Sequence, residues 1–175
     1  MLYMVELDFT DRAREPEWEA WYTAHLQKLL AMPGFRTAQR FKSIAPATSP
    51  YLALYQIDSM DVFESAPYRA GAGRSSPGEW TRLMTNWHRN VLDGIEAAAD
   101  VPMAARLVIV DRPSASSPAL PEGMRALRCL GLDRTVYERG IAVCTPHEAL
   151  TLSARASAAD TRVLRPLAPR MIAPA

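Results

Sequence analysis

Tyr22 and His25 are the residues whose types and spacing most clearly favour chemistry. They lie three positions apart in a stretch with helical periodicity, so both side chains project from one face. An imidazole that titrates near neutral pH and faces a dry cavity can move a proton to or from a carbon acid or a phenol. The neighbouring tyrosine hydroxyl can donate a hydrogen bond to a carbonyl or enolate. The alternative is structural: a buried His25 bonded to a strand carbonyl, and a Tyr22 packed in the core.

Glu6 and Asp8 are the acidic candidates. They alternate with apolar residues in LYMVELDF, so both carboxylates project from the face opposite the apolar one, into a barrel lumen or an open cleft. If desolvation raises its pKa, a carboxylate there could orient His25 or act as a base. We therefore assign Asp8 to catalysis, with His25 and Tyr22, and Glu6 to substrate binding. The alternative is that both acids form ion pairs with Arg36 or Arg40 of the next strand.

Five further side chains are predicted to contact a ligand. A guanidinium suits a carboxylate or phenolate, and aromatic rings stack on an apolar ring. Each of these residues also has a purely structural interpretation. The five are Trp21, Arg40, Tyr55, Tyr68 and Trp87.

A strand, a helix and a second strand are predicted first along the chain. Alternation predicts a strand over 2–9. Proline and acidic residues at the start, apolar residues at three- and four-residue steps and a Pro-Gly stop predict a helix over 16–32. A strand is predicted over 35–44, with Phe35 and Phe41 on the same face.

The remainder of the first hundred residues completes this pattern. A strand is predicted over 51–58, and a helix is expected to begin after Ser59. Apolar residues from Trp80 to Trp87 return to helical spacing and predict more helix. A fourth strand is predicted over 89–95.

The second half resembles a shortened repeat of the first. GIAVCTPHEALTLS aligns with YLALYQIDSMDVFES at an offset of about 89, and MRALRCLGL aligns with FRTAQRFKS at the same offset. The strand ARLVIVDR aligns with LYMVELDF only at a larger offset, and PSASSPALPEG, which follows it, cannot form the first helix. We predict one module over 1–100 and a degenerate module over 101–175 that lacks its first helix, with Thr145 and Glu148 as a capping box. Chance similarity between short apolar strands is the alternative.

Composition excludes several classes of function. The net charge is +1 and no basic stripe is evident, which argues against nucleic-acid binding. The N-terminus carries acidic residues where a signal peptide carries basic ones, so we expect a cytoplasmic protein without a membrane span. Cys129 and Cys144 are expected to be free and buried. Motifs for an activated serine, a phosphate loop, a dinucleotide or zinc are absent from the sequence.

Two stretches resemble EthD-like members of the dimeric α/β-barrel superfamily. They are EPEWEAWYTAHLQKLLAMPGFRTAQRF, with its W-Y-x-x-H-L helix, and YLALYQIDSMDVFESAPY. The resemblance covers residues 1 to about 97. It implies an α+β, ferredoxin-like βαββαβ module whose four-stranded antiparallel sheet pairs with a second module to close an eight-stranded barrel. That second module comes from a homodimer partner or from the same chain.

The resemblance implies a range of functions. The superfamily includes isomerases, cyclases, cofactor-independent monooxygenases and haem-binding branches, and fold alone does not select among them. We predict a small enzyme without a cofactor or metal that performs acid–base chemistry on a small aromatic or lactone-like substrate, with His25 as the proton carrier. The alternatives are a non-catalytic or stress-associated barrel that binds a hydrophobic ligand, and a purely structural module. The consecutive Asn-Trp-His at 86–88 is only superficially similar to the dispersed haem-site residues of haem-degrading barrels.

Overall fold

The computed structural model describes residues 1–72, 78–156 and 161–174. This part of the chain contains nine strands and three α-helices. The strands are β1 (Leu2–Phe9), β2 (Phe35–Ser43), β3 (Tyr51–Ile57), β4 (Met84–Asp93), β5 (Arg106–Arg112), β6 (Arg125–Leu132), β7 (Glu138–Cys144), β8 (Thr161–Pro166) and β9 (Met171–Ile172). The helices are α1 (Glu15–Leu30), α2 (Ala66–Gly71) and α3 (Pro146–Arg155).

Eight strands form one closed antiparallel barrel. Their order is β3-β1-β4-β6-β7-β5-β8-β2, and β2 pairs back to β3. The short β9 pairs with β2 beside β8. The order within the first half, β2-β3-β1-β4, recurs in the second half as β6-β7-β5-β8, and the halves join through β4–β6 and β2–β8. The barrel therefore closes within one chain, which removes the unpaired edges that would otherwise promote association.

Helix α1 forms where the sequence predicts it, with slightly different ends. Pro16 occupies the first turn beside Glu15 and Glu17, where a fixed φ and negative charge both favour helix initiation. The helix ends before Gly34, whose φ of +89° is a conformation that residues with a side chain rarely adopt. A Cβ at this glycine would lie 2.4 Å from a methyl carbon of Val62, so the close approach also requires glycine.

Alternation along β1 divides the core into two layers. Tyr3 and Val5 face outward and pack beneath α1 with the aromatic residues of the outer layer. Leu2 and Met4 face the barrel lumen, which is filled mainly by aliphatic side chains. Glu6 follows them on the lumen face, as the alternation predicts.

Phe35 and Phe41 lie on opposite faces of β2, and the prediction of a shared face is wrong. Phe35 packs in the outer layer, whereas Phe41 packs in the lumen. The register of β2 against β3 shifts between Phe35 and Thr37. An extra residue of this kind reverses the face of every side chain beyond it, and the sequence carries no glycine or proline there to mark the shift.

The segment from Trp80 to Trp87 is not a continuous helix, contrary to its helical spacing. A 3-10 helix over Gly78–Leu83 gives way to strand β4 at Met84. Met84 pairs with Phe9 of β1, so the available partner strand outweighs the local periodicity. The fourth strand therefore begins five residues before the predicted start at 89.

The second half contains the predicted capping box and no helix between β5 and β6. Thr145 and Glu148 satisfy each other's backbone N–H groups at the start of α3. Residues 113–124, between β5 and β6, form turns and coil. Leu120 from this segment covers Gly140 of β7, where a Cβ would lie 2.7 Å from a leucine methyl carbon.

Cys129 and Cys144 are free, as predicted, but both are only half-buried. Among the described residues, no helix has the length and apolar character needed to cross a membrane.

Candidate functional site

An enclosed aromatic pocket lies between α1 and the outer face of the barrel. Its volume is about 20 Å³, which is room for about one water molecule. We call it the aromatic pocket, and it is lined by Tyr3, Val5, Tyr22, His25, Leu29, Tyr55, Tyr68 and Trp87.

His25 lines this pocket from the middle of α1. The Trp21 ring stacks on the imidazole with 5.1 Å between centroids and 13° between planes, and Tyr22 contacts it edge-on at 5.8 Å. Burial, with smaller contributions from the charges of Lys28 and Arg40, lowers the pKa of His25 to about 4. The expectation that this imidazole titrates near neutral pH is therefore wrong: it is neutral at neutral pH, and it can accept a proton only as a weaker base than an ordinary histidine.

Tyrosine hydroxyls surround the same space. Tyr3 and Tyr55 stack with 5.3 Å between ring centroids, and both are buried. Burial raises the pKa of Tyr3, Tyr22 and Tyr55, so these hydroxyls stay protonated at neutral pH. Tyr22 and Tyr55 are close enough that each affects the pKa of the other. Protonated hydroxyls in an apolar pocket can stabilise a developing oxyanion.

Arg40 lies beneath Tyr22 and does not line the aromatic pocket. Its guanidinium carbon is 4.0 Å from the centroid of the Tyr22 ring and 4.8 Å from that of Trp18. Both terminal nitrogens bond the carboxylate of Glu19. The geometry makes Arg40 a support for the Tyr22 ring, whereas the sequence predicted a ligand contact.

Glu6 and Asp8 are not brought to His25, because even-numbered residues of β1 face the lumen and α1 covers the other face. Asp8 bonds Arg12 at 2.7 Å near the surface. Glu6 bonds two arginines of the second half. The predicted partners also differ, since Arg36 pairs with Asp58 and Arg40 with Glu19.

Of the other predicted residues, the structure brings Tyr55, Tyr68 and Trp87 together with Tyr22 and His25. They come from β3, α2 and β4 respectively. Trp21 stacks on His25 without lining the cavity. Tyr3 was missed, although its alternation with Glu6 in β1 already placed it on the face covered by α1.

A buried charged cluster lies in the lumen and was also missed. We call it the lumen cluster: Glu6, Asp111, Arg139 and Arg162. Arg139 bonds Glu6 at 2.8 Å and Asp111 at 2.6 and 3.0 Å. Burial alone raises the pKa of Glu6, but the two guanidinium groups outweigh it and hold the pKa at about 2.

One signal could have located this cluster. Asp111, Arg139 and Arg162 each lie two positions along a strand from an aliphatic residue that faces the lumen, and therefore face the lumen too, as Glu6 does beside Met4.

No group of three or more His, Cys, Asp or Glu side chains in the described ranges is arranged to hold a metal ion.

The same fold occurs in solved structures with little sequence similarity. A crystal structure described as an "anthrone oxidase-like protein" is similar with a TM-score of 0.57 and 12% identity, over 99% of this chain and 94% of that chain. Another, described as a "putative monooxygenase from Lactobacillus acidophilus NCFM", is similar with a TM-score of 0.51 and 10% identity, over 94% of this chain and 93% of that chain. This likeness shows the fold alone, an eight-stranded antiparallel barrel with few helices. No protein-family model matches the sequence, and no curated protein matches it significantly.

Proposed function

We propose that this protein is a small enzyme that performs acid–base chemistry, without a cofactor, on a small aromatic or lactone-like substrate. His25 takes a proton from an activated carbon or phenol. The hydroxyls of Tyr22 and Tyr55 donate to the oxygen that gains negative charge. The observation that carries the proposal is that a neutral imidazole and protonated tyrosine hydroxyls line the same enclosed apolar pocket.

The aromatic pocket must open to admit such a substrate. Its volume of about 20 Å³ is far below the several hundred Å³ that ligand sites usually provide. We expect Trp87 and Tyr68 to move, because Trp87 is half-buried and Tyr68 belongs to a helix of only six residues. The rigid wall is then formed by Tyr3 and Tyr55 on adjacent strands.

The reaction begins with removal of a proton from a carbon acidified by a carbonyl group, either directly attached or conjugated through a ring, which leaves an enolate. In an isomerase or cyclase, the enolate takes a proton, or forms a bond, at another carbon. In a monooxygenase, molecular oxygen accepts the electrons: one oxygen atom becomes the new carbonyl and the other leaves as water. Proton transfer to His25 is common to every branch, so it is the step to test first.

Anthrone is a suitable probe because its methylene is acidified by a carbonyl and because one structural neighbour is named for an anthrone oxidase. In deuterated buffer without oxygen, the protein should accelerate deuterium exchange at this methylene, as followed by NMR. His25→Gln should remove the acceleration, which we expect to be about 10²-fold, the lower end of the usual range for a general base, because its lowered pKa makes His25 a weaker base. His147→Gln, at an exposed position on α3, is the matched control. Equal exchange with both variants would refute the role of His25.

The same samples distinguish the non-catalytic alternative. A barrel that only stores a hydrophobic ligand would bind anthrone saturably without accelerating exchange, and His25→Gln would change affinity alone. Admission of oxygen separates the remaining branches, because only the monooxygenase consumes it in proportion to anthrone.

We also propose that the chain is an EthD-like barrel in which two ferredoxin-like modules are fused. The recurrence of one strand order in both halves supports this proposal. A homodimer is then not needed to close the barrel. Light scattering during size-exclusion chromatography tests the predicted homodimer directly, since the chain alone has a mass of 19.4 kDa.

A further inference from the structure

A second concave site opens at one mouth of the barrel, on the lumen side of the strands. Its volume is about 460 Å³, within the range of small-molecule sites. We call it the mouth hollow. Its polar lining consists mainly of the lumen cluster together with Ser49, His88, Thr135 and Thr161.

The charged floor of the mouth hollow is not explained by stability. Glu6 and Arg139 are almost fully buried, and apolar side chains of similar size often stabilise a protein as well as a buried ion cluster does. Elsewhere the lumen is filled mainly with apolar residues, so apolar side chains could also have filled this end. The cluster instead gives the hollow a polar floor.

Arg162 is the cation that a ligand can reach. All three guanidinium nitrogens of Arg139 bond the two carboxylates, and its side chain is only 1% exposed. The Arg162 side chain is 16% exposed, and its 3.3 Å contact with Asp111 is the longest in the cluster. An incoming anion can therefore replace Asp111 at Arg162. His88 adds another hydrogen-bonding group, since it is exposed and lies directly opposite Glu6 on β4.

One wall of the hollow is fixed in advance. The Ser49 hydroxyl donates to the Asn86 carbonyl at 2.8 Å, and the Asn86 amide donates to the Thr48 carbonyl at 3.1 Å. These bonds hold the β2–β3 connection against β4, with Asn86 itself at a φ of +48°. A preformed wall reduces the ordering cost of binding.

We infer that the mouth hollow binds a small monocarboxylate with a short apolar body. The carboxylate lies between Arg162 and His88, where charge-assisted hydrogen bonds are available. The apolar body packs on Pro46, Ala47 and Val136, which also line the hollow. This site is separate from the aromatic pocket, which lies on the other face of the sheet, and does not depend on the chemistry proposed for His25.

Isothermal titration with butyrate and with its neutral analogue butyramide tests the inference. Butyrate should bind and butyramide should not. Arg162→Gln should weaken butyrate binding at least roughly tenfold, because it removes the charge that pairs with the carboxylate. Arg165→Gln is the matched control, since Arg165 is exposed on the outer face of the same strand.

Asp111→Asn provides a test of opposite sign. Removal of the competing carboxylate frees the donors of Arg162, so butyrate should bind more tightly by roughly fivefold to tenfold. Glu122→Gln, at an exposed position, controls for the change in net charge. If Asp111→Asn does not fold, His88→Gln replaces it and should weaken butyrate binding. Absence of butyrate binding, equal binding of butyramide, or weaker binding to Asp111→Asn would each overturn the inference.

Discussion

Arg139 of β7 donates a hydrogen bond of 2.8 Å to Glu6 of β1, and both side chains are almost fully buried in the barrel. The bond joins residues 133 positions apart and so links the two halves of the chain. Loss of either partner would leave a charge in the lumen with fewer opposite charges around it.

Arg139→Met should therefore destabilise the protein strongly. Removal of one partner of a buried ion pair typically costs about 3 to 5 kcal/mol. Urea denaturation measures the decrease in the free energy of unfolding, and Arg165→Met is the surface control. A loss below about 1 kcal/mol would show that the pair contributes little to the folded state.

Glu6 should make stability depend on acidic pH. Its pKa is about 2 in the folded protein, against 4.5 for an ordinary glutamate, so the folded state favours the ionised form. Its contribution to the free energy of unfolding is present above pH 4.5. About 2 to 3 kcal/mol of this contribution is lost as the pH falls toward 2. Urea denaturation at pH 5 and at pH 2.5 should show a larger loss for the wild type than for Glu6→Gln. Equal losses would contradict the assignment.

His25 should give a second pH dependence with a different window. Its pKa falls from 6.5 to about 4 on folding, so the unfolded chain binds the proton more strongly. Stability should decrease as pH falls from 6.5 to 4, by up to roughly 3 kcal/mol. Thermal unfolding across this range measures the slope, which His25→Gln should reduce and His147→Gln should not. An unchanged slope in His25→Gln would place the imidazole in solvent.

Gly34→Ala should destabilise the turn after α1. The substitution combines a φ of +89° with a Cβ placed 2.4 Å from the methyl carbon of Val62. We expect a loss of about 1 to 3 kcal/mol, measured by chemical denaturation. Gly123→Ala is a useful comparison, because its φ is +87° but its Cβ would meet nothing within 4 Å. Similar losses for both variants would assign the whole effect to φ.

Local pattern was sufficient for some of the fold and insufficient for the rest. The alternation in β1 and the apolar face of α1 predicted both elements and placed Tyr22 and His25 on the side that packs against the sheet. The start of β4 was not predictable, because pairing of Met84 with Phe9 overrides the local spacing. The face on which Phe35 lies depends on a register shift between Phe35 and Thr37, and no residue type in this segment indicates the shift.

The candidate site shows the same division. Tyr55, Tyr68 and Trp87 were predicted by residue type and line the aromatic pocket with His25, but the size of this pocket depends on how their rings pack together. The partners of Glu6 lie more than 130 residues away, on strands whose neighbours in the barrel only the tertiary structure defines. Nearby arginines were therefore a reasonable prediction that proved wrong.

The proposed function requires that the aromatic pocket opens and places a ring beside neutral His25. NMR of histidine-labelled protein at neutral pH, recorded during titration with an anthrone-like ligand, reports both conditions at once. The ring signals of His25 should belong to a neutral imidazole and shift on ligand addition, while those of His147 should not change. A protonated His25, or His25 signals that stay unchanged while the ligand binds, would rule out His25 as the proton acceptor in this pocket.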